Sequence, residues 1–221
     1  MRSRVRSAVL LAFLASTAFA STATLAQTLA QAPAGDPEKG KAIANTCLGC
    51  HGVPGYKNAY PNFSVPKLEG QHPEYIVLAL QAYRSGERSH LTMHSQASSL
   101  SDEDMANIAA YFSGHVVSKD NNPPEGKAPE AAAVCVACHG ENGVGITGVY
   151  PTLAGQHADY LEHALHDYRK GGRKNAIMGT FAQQIKEEDI RVLARFYSKQ
   201  KPTLETEARP SSILTAGNEA K

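Results

Sequence analysis

Two short motifs contain all four cysteines of this 221-residue chain, and both have the same spacing. They are Cys47-Leu-Gly-Cys50-His51 and Cys135-Val-Ala-Cys138-His139. Two cysteines three positions apart can both form thioether bonds to the vinyl groups of one porphyrin, and the adjoining histidine can then bind the iron. Because the pattern occurs twice and leaves no cysteine over, it predicts two covalently bound haem c groups, one on each cysteine pair.

Two other uses of four cysteines fit the pattern less well. A pair of disulfides would suit an exported chain, but disulfides give no reason for a histidine directly after each cysteine pair. A structural zinc site would need histidines at a zinc-binding spacing, which this sequence lacks. We therefore expect His51 and His139 to bind iron.

The first 26 residues have the pattern of a secretory signal peptide. Three arginines precede an apolar stretch over residues 8–20, which has the length of a signal-peptide core. The stretch is shorter than the roughly 20 apolar residues that a membrane span needs. Small residues permit cleavage after Ala20 or after Ala26. We predict export to the periplasm of a Gram-negative type of bacterium, with an uncleaved anchor and loose membrane association as the alternative.

The charge of the mature chain excludes a nucleic-acid-binding surface. The first 26 residues hold three arginines and no acidic residue, which leaves 19 basic and 21 acidic residues from Gln27 onward. A nucleic-acid-binding protein would need a basic patch instead. No later apolar run is long enough to span a membrane.

The chain is an internal duplication. The second haem motif follows the first at an offset of 88 residues, and downstream elements repeat at an offset of 85. The repeated elements include Pro66-x-Leu68-x-Gly70-Gln71-His72 with Pro151-x-Leu153-x-Gly155-Gln156-His157, and Tyr83-Arg84-x-Gly86 with Tyr168-Arg169-x-Gly171. The change of offset puts three extra residues into the first half, in the loop 53–65. Such self-similarity predicts two equivalent modules.

The repeat and the composition together predict the domain boundaries. We expect a signal peptide over 1–26, a flexible tether over 27–35 and a first domain over 36–117. A polar stretch rich in proline and glycine over 118–127 is the predicted linker. The second domain follows over 128–201, and residues 202–221 form a tail predicted to be disordered.

Hydrophobic periodicity predicts an all-α fold. In the first half, helices are expected from Pro37 to Asn45, from Pro73 to Gly86, and from the capping-box pattern at Ser101 onward. The matching last helix of the second half begins near Lys186 and lacks a serine cap. No alternating strand pattern of useful length occurs. Each module is small for a self-sufficient core, and a covalently held haem would supply the missing apolar mass.

The second axial ligand decides whether a haem carries electrons or binds small molecules. Met93 and Met178 occupy equivalent positions, ten residues beyond Tyr83 and Tyr168, in segments expected to be loops before the last helix. A lone methionine is more often a core residue, as predicted for Met105. Two at matching positions are better explained as ligands, and they argue against an open iron such as a di-haem peroxidase would need.

Other recurring polar residues leave alternatives open. His72 and His157 either make a hydrogen bond at the helix start or contact the haem surroundings. Arg88 and Arg173 either pair with haem propionates or lie on the surface. His90 aligns with Asn175 and is therefore not expected to belong to the shared design.

Together these motifs resemble the di-haem cytochrome c4 family of class I c-type cytochromes over about residues 36–200. The resemblance implies two tandem cytochrome c domains with an approximate twofold relation, each wrapped around its haem. It also implies His51/Met93 and His139/Met178 as the axial pairs. The implied function is a periplasmic electron carrier between a quinol-oxidising complex and a terminal oxidase or reductase, which meets its redox partners in transient complexes.

One alternative function stays open from the sequence. Similar double cytochrome modules serve as haem-bearing, electron-accepting subunits of sulfide- or thiosulfate-oxidising oxidoreductases. Neither the charge nor the motifs of this chain distinguish a permanent subunit from a free carrier.

Overall fold

The computed structural model describes residues 34–114, 123–201 and 203–206. The expected signal peptide, most of the tether, the first part of the linker and most of the tail lie outside these residues. Within the described part, the regular structure is helical, and only isolated β-bridges join extended segments. The all-α prediction is confirmed. We call residues 34–114 the first module and residues 123–201 the second module.

The two modules repeat one helical plan with a difference at the start. The first module contains α1 (Pro37–Ala44), α2 (Leu48–His51), α3 (Pro73–Ser85), α4 (Leu91–Ser98) and α5 (Asp102–Phe112). The second contains a 3-10 helix (Glu130–Val134), α6 (Val136–His139), α7 (Ala158–Lys170), α8 (Ala176–Gln184) and α9 (Glu187–Ser198). The second module therefore has the short 3-10 helix in the place of α1, which has eight residues.

Helix ends follow the signals in the sequence. Helices α3 and α7 both end at a glycine in the left-handed conformation, Gly86 with φ of 77° and Gly171 with φ of 81°, which a residue with a side chain adopts only with strain. Ser101 and Asp104 form the predicted capping box at the start of α5. Lys186 offers no side-chain cap to α9, as its sequence predicts.

Each module has its own apolar core, and the first is the larger. Buried residues from all five helices of the first module pack together, among them Met105 and Phe112, which are 0% and 1% exposed. The core role predicted for Met105 is confirmed. The second module buries a smaller set, mainly from α7 and α9, around Leu193 and Tyr197.

A close helix crossing explains the glycine in α1. A Cβ atom on Gly40 would lie 2.0 Å from the backbone oxygen of Asn107 in α5. That backbone atom cannot move aside without shifting its helix, so only glycine allows α1 and α5 to approach this closely.

Gly40→Ala is expected to destabilise the first module by at least about 2 kcal/mol, because the added methyl group separates two packed helices. Urea unfolding followed by far-ultraviolet circular dichroism measures the change. Lys41→Ala, in the same helix but exposed, is the matched control. A Gly40→Ala protein as stable as the control would show that the crossing is not tight.

The two modules pack against each other through reciprocal contacts. Backbone segments around Arg88 and Arg173 pair in antiparallel fashion, with Ser89 N donating to Gly172 O at 2.8 Å and Lys174 N donating to Glu87 O at 2.7 Å. Because segment 87–89 meets its own counterpart 172–174, this contact has the symmetry of an approximate twofold axis.

The longer loop of the first module also reaches the second module. Phe63, only 5% exposed, stacks on the His163 ring with 4.0 Å between ring centroids. Asp159 Oδ2 accepts hydrogen bonds from Lys57 Nζ, Ser64 N and Ser64 Oγ at 3.1, 3.0 and 2.9 Å. The loop 53–65 therefore acts as an inter-module clasp.

Residues 203–206 differ from the tail predicted to be disordered. Leu204 is fully buried, and the backbones of Glu205 and Glu69 exchange two hydrogen bonds of 3.0 and 3.2 Å. This short segment after the last helix returns to the first module and pairs with the residues just before Gly70. Leu204 is not the only large apolar residue of the predicted tail, which also contains Ile213 and Leu214, so the sequence does not single out this contact.

Candidate haem sites

All eight site residues predicted from sequence line one continuous cavity of about 530 Å³. They are Cys47, Cys50, His51, Met93, Cys135, Cys138, His139 and Met178. The cavity runs through both modules, and its walls are mostly apolar side chains of α3, α5, α7 and α9. Two sites that were recognised separately in the sequence therefore adjoin in the fold.

Both motif histidines are held in the tautomer that an iron ligand needs. His51 Nδ1 lies 2.8 Å from Pro66 O, and His139 Nδ1 lies 2.9 Å from Pro151 O. A carbonyl oxygen only accepts hydrogen bonds, so Nδ1 carries the proton and Nε2 keeps its lone pair for a metal. Burial lowers the pKa of both imidazoles despite the opposing effect of the carbonyl, which favours the neutral form.

No disulfide joins the four cysteines, which are half-buried at the cavity wall. Burial raises the pKa of the Cys47 and Cys135 thiols. In each motif the second cysteine and the histidine lie on one short helical turn, α2 or α6, so both point toward the same cavity. A cysteine pair without a disulfide, a neutral imidazole and an apolar cavity together fit a covalently attached haem.

The two methionines lie on helices, not on the loops that the sequence predicted. Each is the third residue of its helix, α4 or α8, and its backbone N–H donates to the side chain of the residue before the helix. His90 Nδ1 accepts from Met93 N at 3.3 Å, and Asn175 Oδ1 accepts from Met178 N at 2.9 Å. Helix capping thus fixes where both methionines enter the cavity.

This capping overturns the expectation that His90 lies outside the shared design. His90 and Asn175 are different residue types that do the same work, each satisfying the N–H of the predicted ligand. Asparagine is a common helix cap and histidine is a rare one, so the alignment of the two positions gives no sign of their common role.

Arg88 and Arg173 are buried, so the surface alternative for them is wrong. They are 7% and 6% exposed and line the cavity. Each guanidinium lies over tyrosine rings of its own module, Arg88 at 4.6 Å from the Tyr83 centroid and Arg173 at 5.6 Å from that of Tyr168. Arg88 Nε is buried without a hydrogen-bond partner, as expected of a donor that holds an acidic group of the cofactor.

Tyr160 joins the two arginines across the module boundary. Its hydroxyl accepts from Arg88 Nη2 at 3.3 Å and from Arg173 Nη2 at 3.2 Å. Burial alone would raise the pKa of this phenol, but the two positive charges outweigh burial and lower the pKa to about 8. The hydroxyl is thus a shared hydrogen-bond acceptor of both modules.

Two other histidines also have inter-module roles that the sequence did not predict. His72 provides no side-chain cap to α3; instead its Nε2 lies 3.1 Å from Gly145 O of the second module. His163 of the second module stacks on Phe63 of the first, and its Nε2 lies 3.2 Å from Asp167 Oδ2. A single sequence gives no signal for contacts of this kind.

Asp159→Asn is expected to lower the free energy of unfolding by about 0.5–1 kcal/mol at pH 7, because it weakens the hydrogen bonds between loop 53–65 and the second module. This value allows for the partial exposure of Asp159. Burial alone would raise the pKa of Asp159, but hydrogen bonds from Ser64 and Lys57 outweigh it and hold the pKa below its usual value. The ionised carboxylate therefore stabilises the fold above the unfolded pKa of about 3.9, and this contribution is lost as pH falls through the folded pKa.

Urea unfolding at pH 7 and pH 3 tests this prediction. The difference between wild type and Asp159→Asn should be present at pH 7 and should shrink at pH 3. Glu141→Gln, at an exposed position, should show no difference at either pH. An Asp159→Asn effect of equal size at both pH values would contradict the role given to the charge.

Comparison with known proteins agrees with this geometry. The sequence matches the cytochrome c family twice, over residues 37–115 and 125–200. It is 37% identical to cytochrome c4 of Pseudomonas aeruginosa over 179 residues, which cover 74% of this chain and 88% of that protein. It is 31% identical to a thiosulfate dehydrogenase electron acceptor of Stutzerimonas stutzeri, covering 70% and 79%.

The fold is also similar to a solved structure. The crystal structure of reduced recombinant cytochrome c4 from Pseudomonas stutzeri superposes with a TM-score of 0.58 at 34% identity, covering 76% of this chain and all of that one. Two haem-binding motifs, two cytochrome c domains and this similarity over most of the chain point the same way. The protein belongs to the cytochrome c4 family, carries two covalently bound haem c groups and is an electron-transfer protein rather than an enzyme.

Proposed function

We propose that this protein is a periplasmic carrier that takes electrons from a quinol-oxidising complex and delivers them to a terminal oxidase or reductase. In this proposal His51 and Met93 are the axial ligands of the first haem iron, and His139 and Met178 are those of the second. The observation that carries it is the shared cavity, because both predicted ligand pairs line one continuous apolar space. Electrons can then enter at one module and leave at the other.

The chain's own residues favour electron transfer over small-molecule chemistry. The bonds from His51 to Pro66 O and from His139 to Pro151 O fix the ring orientations, and helix caps fix the backbones of both methionines. When bound, the haem supplies the one-electron redox couple. A methionine ligand raises the reduction potential, and ligands held in this way move little when the charge changes.

The proposed location depends on the signal-peptide pattern of residues 1–26, which lie outside the described part of the chain. None of the helices in the described ranges has both the length and the apolar character of a membrane span. Covalent attachment of haem to paired cysteines takes place outside the bacterial cytoplasm, which agrees with export. We propose that partners are redox proteins met in short-lived complexes with small interfaces.

Oxygen uptake by washed membranes tests the carrier proposal. Membranes that contain a quinol-oxidising complex and an oxidase, but lack this protein, are supplied with a quinol. Adding the purified protein should restore oxygen uptake in proportion to its concentration. Uptake that stays at the background rate, while the quinol-oxidising complex still reduces the protein, would contradict delivery to that oxidase.

A second candidate function is favoured by one comparison. A relative at 31% identity is named as a thiosulfate dehydrogenase electron acceptor, so this chain is proposed alternatively as the electron acceptor of a thiosulfate-oxidising enzyme. The test mixes the oxidised protein with a purified thiosulfate dehydrogenase and thiosulfate. Rapid reduction of both haems, with co-elution of the two proteins, would favour this function over the respiratory one.

A further inference from the structure

Two buried glutamines cross the module boundary in opposite directions. Gln71 and Gln156 are each 4% exposed, and each is the glutamine of a repeated Gly-Gln-His sequence. Gln156 Oε1 accepts from Lys67 N at 3.0 Å, while its Nε2 donates to Lys67 O at 3.0 Å. Gln156 of the second module therefore binds both the N–H and the C=O of Lys67 in the first module.

Gln71 repeats this arrangement in the opposite direction. Its Oε1 accepts from Thr152 N at 2.9 Å, and its Nε2 donates to Thr152 O at 3.1 Å. Lys67 and Thr152 are equivalent positions, each directly after the first proline of the repeated Pro-x-Leu segment. The two contacts are thus a symmetric pair.

The residue that each glutamine binds shares a peptide group with the partner of a haem-ligand histidine. The C=O of the Pro66–Lys67 peptide accepts from His51 Nδ1, and the N–H of the same peptide donates to Gln156 Oε1. In the second module the Pro151–Thr152 peptide does the same.

In the second module, the C=O of the Pro151–Thr152 peptide accepts from His139 Nδ1, and the N–H of that peptide donates to Gln71 Oε1. A continuous chain of hydrogen bonds therefore runs from each histidine, through one peptide, to a glutamine of the opposite module.

Hydrogen bonds in such a chain polarise one another. A peptide whose N–H is bonded to an acceptor carries more negative charge on its oxygen, and that oxygen accepts more strongly from the histidine. A stronger bond at Nδ1 makes the imidazole a more electron-rich ligand. An electron-rich ligand stabilises oxidised iron and lowers the reduction potential.

We propose that Gln71 and Gln156 are positioning residues that act across the module boundary, each tuning the haem of the other module through its proximal histidine. Gln71 acts on the second haem through His139, and Gln156 acts on the first through His51. The inference rests on the proposed assignment of these histidines as iron ligands. It gives the repeated glutamine a function in electron transfer as well as in packing.

Isosteric replacement separates this role from packing alone. Gln71→Met keeps the side-chain length but removes the acceptor from Thr152 N. The reduction potential of the second haem should rise, by an amount that changes its ratio of reduced to oxidised form roughly two- to tenfold at fixed potential, the range of one hydrogen bond. The reduction potential of the first haem should not change. Gln156→Met should produce the reciprocal result.

The reduction potential of each haem is measured by a redox titration that is monitored by proton NMR. The Met93→Ala and Met178→Ala proteins assign the NMR signals to the two haems. Ser64→Ala is the matched control, because it removes a different inter-module hydrogen bond and leaves both peptides untouched. It should shift neither potential.

Gln71→Glu and Gln156→Glu provide a second test, which does not require that the Gln71→Met and Gln156→Met proteins fold. The glutamate faces the carbonyl to which the glutamine Nε2 donates, so it stays protonated until the pH is raised enough to ionise it in this buried position. Once ionised, it keeps an accepting oxygen and adds charge to it, so the potential of the opposite haem should then fall more than that of the haem in its own module. Shifts confined to the haem of the same module, equal shifts of both haems, or no shift in either series would overturn the inference. Failure of the proposed function would instead appear in the wild-type protein, as a reduced spectrum that carbon monoxide alters.

Discussion

Met178→Ala is expected to create one open haem in a protein whose other haem stays closed. Alanine cannot reach the iron, so carbon monoxide should bind the reduced second haem and change about half of the total haem absorbance. The first haem should keep its spectrum, because Met93 lies on a different helix, α4, held by its own cap from His90. Met93→Ala should produce the mirror result.

A control variant and two contrary outcomes make this experiment decisive for the assignment of the iron ligands. Met105→Leu is the matched control, since Met105 is a fully buried core residue of α5 and its loss should leave both haems closed. If Met178→Ala opens both haems, the two ligand sets are not separate. If it opens neither, another side chain binds the second iron, and Met178 is not its ligand.

Removing the second pair of cysteines is expected to halve the haem content and unfold the second module. Cys135→Ala combined with Cys138→Ala leaves no thioether attachment in that module. The apolar wall that the second haem covers would then be exposed to water, and burial of apolar surface is the dominant favourable contribution to folding. The second module has the smaller apolar core, so it has less other burial to hold it folded.

Mass spectrometry counts the attached haems, and far-ultraviolet circular dichroism reports the loss of helix. The matched variant is Cys47→Ala combined with Cys50→Ala, which removes the first haem instead. Because the first module has the larger core and the additional helix α1, it should keep more of its helix than the second module does. Two haems on the Cys135/Cys138 variant would contradict the assignment of these cysteines.

The sequence was informative wherever local chemistry determines structure. Motif spacing predicted the two haem groups, and the repeated Gly86 and Gly171 predicted where α3 and α7 end. Met105 was correctly placed in the core because its counterpart, Ile190, is apolar. These inferences need only neighbouring residues or the comparison of one half with the other.

The contacts between modules could not be predicted, because their partners are distant in sequence or are backbone groups. Gln71 and Gln156 were visible as a repeat, but nothing in the sequence indicates that each binds a peptide of the other module. The same holds for Tyr160, which bridges Arg88 and Arg173. The role of His90 does not follow from its alignment with Asn175, because a histidine here performs the capping function of an asparagine.

The extra residues of the loop 53–65 illustrate a different limit. Length alone marks this loop as a difference between the halves, and its sequence does not indicate what the extra residues contact. In the fold, Phe63 and Ser64 contact the second module. An insertion in a surface loop is tolerated in many proteins, and here it supplies part of the interface.

The visible spectrum of the reduced wild-type protein, before and after addition of carbon monoxide, tests the central claim most directly. If His51 and Met93 close the first iron and His139 and Met178 close the second, carbon monoxide will change neither haem. A change in the absorbance of either haem would show that a sixth ligand is missing or easily displaced, and would contradict the account of this protein as a closed, two-haem electron carrier.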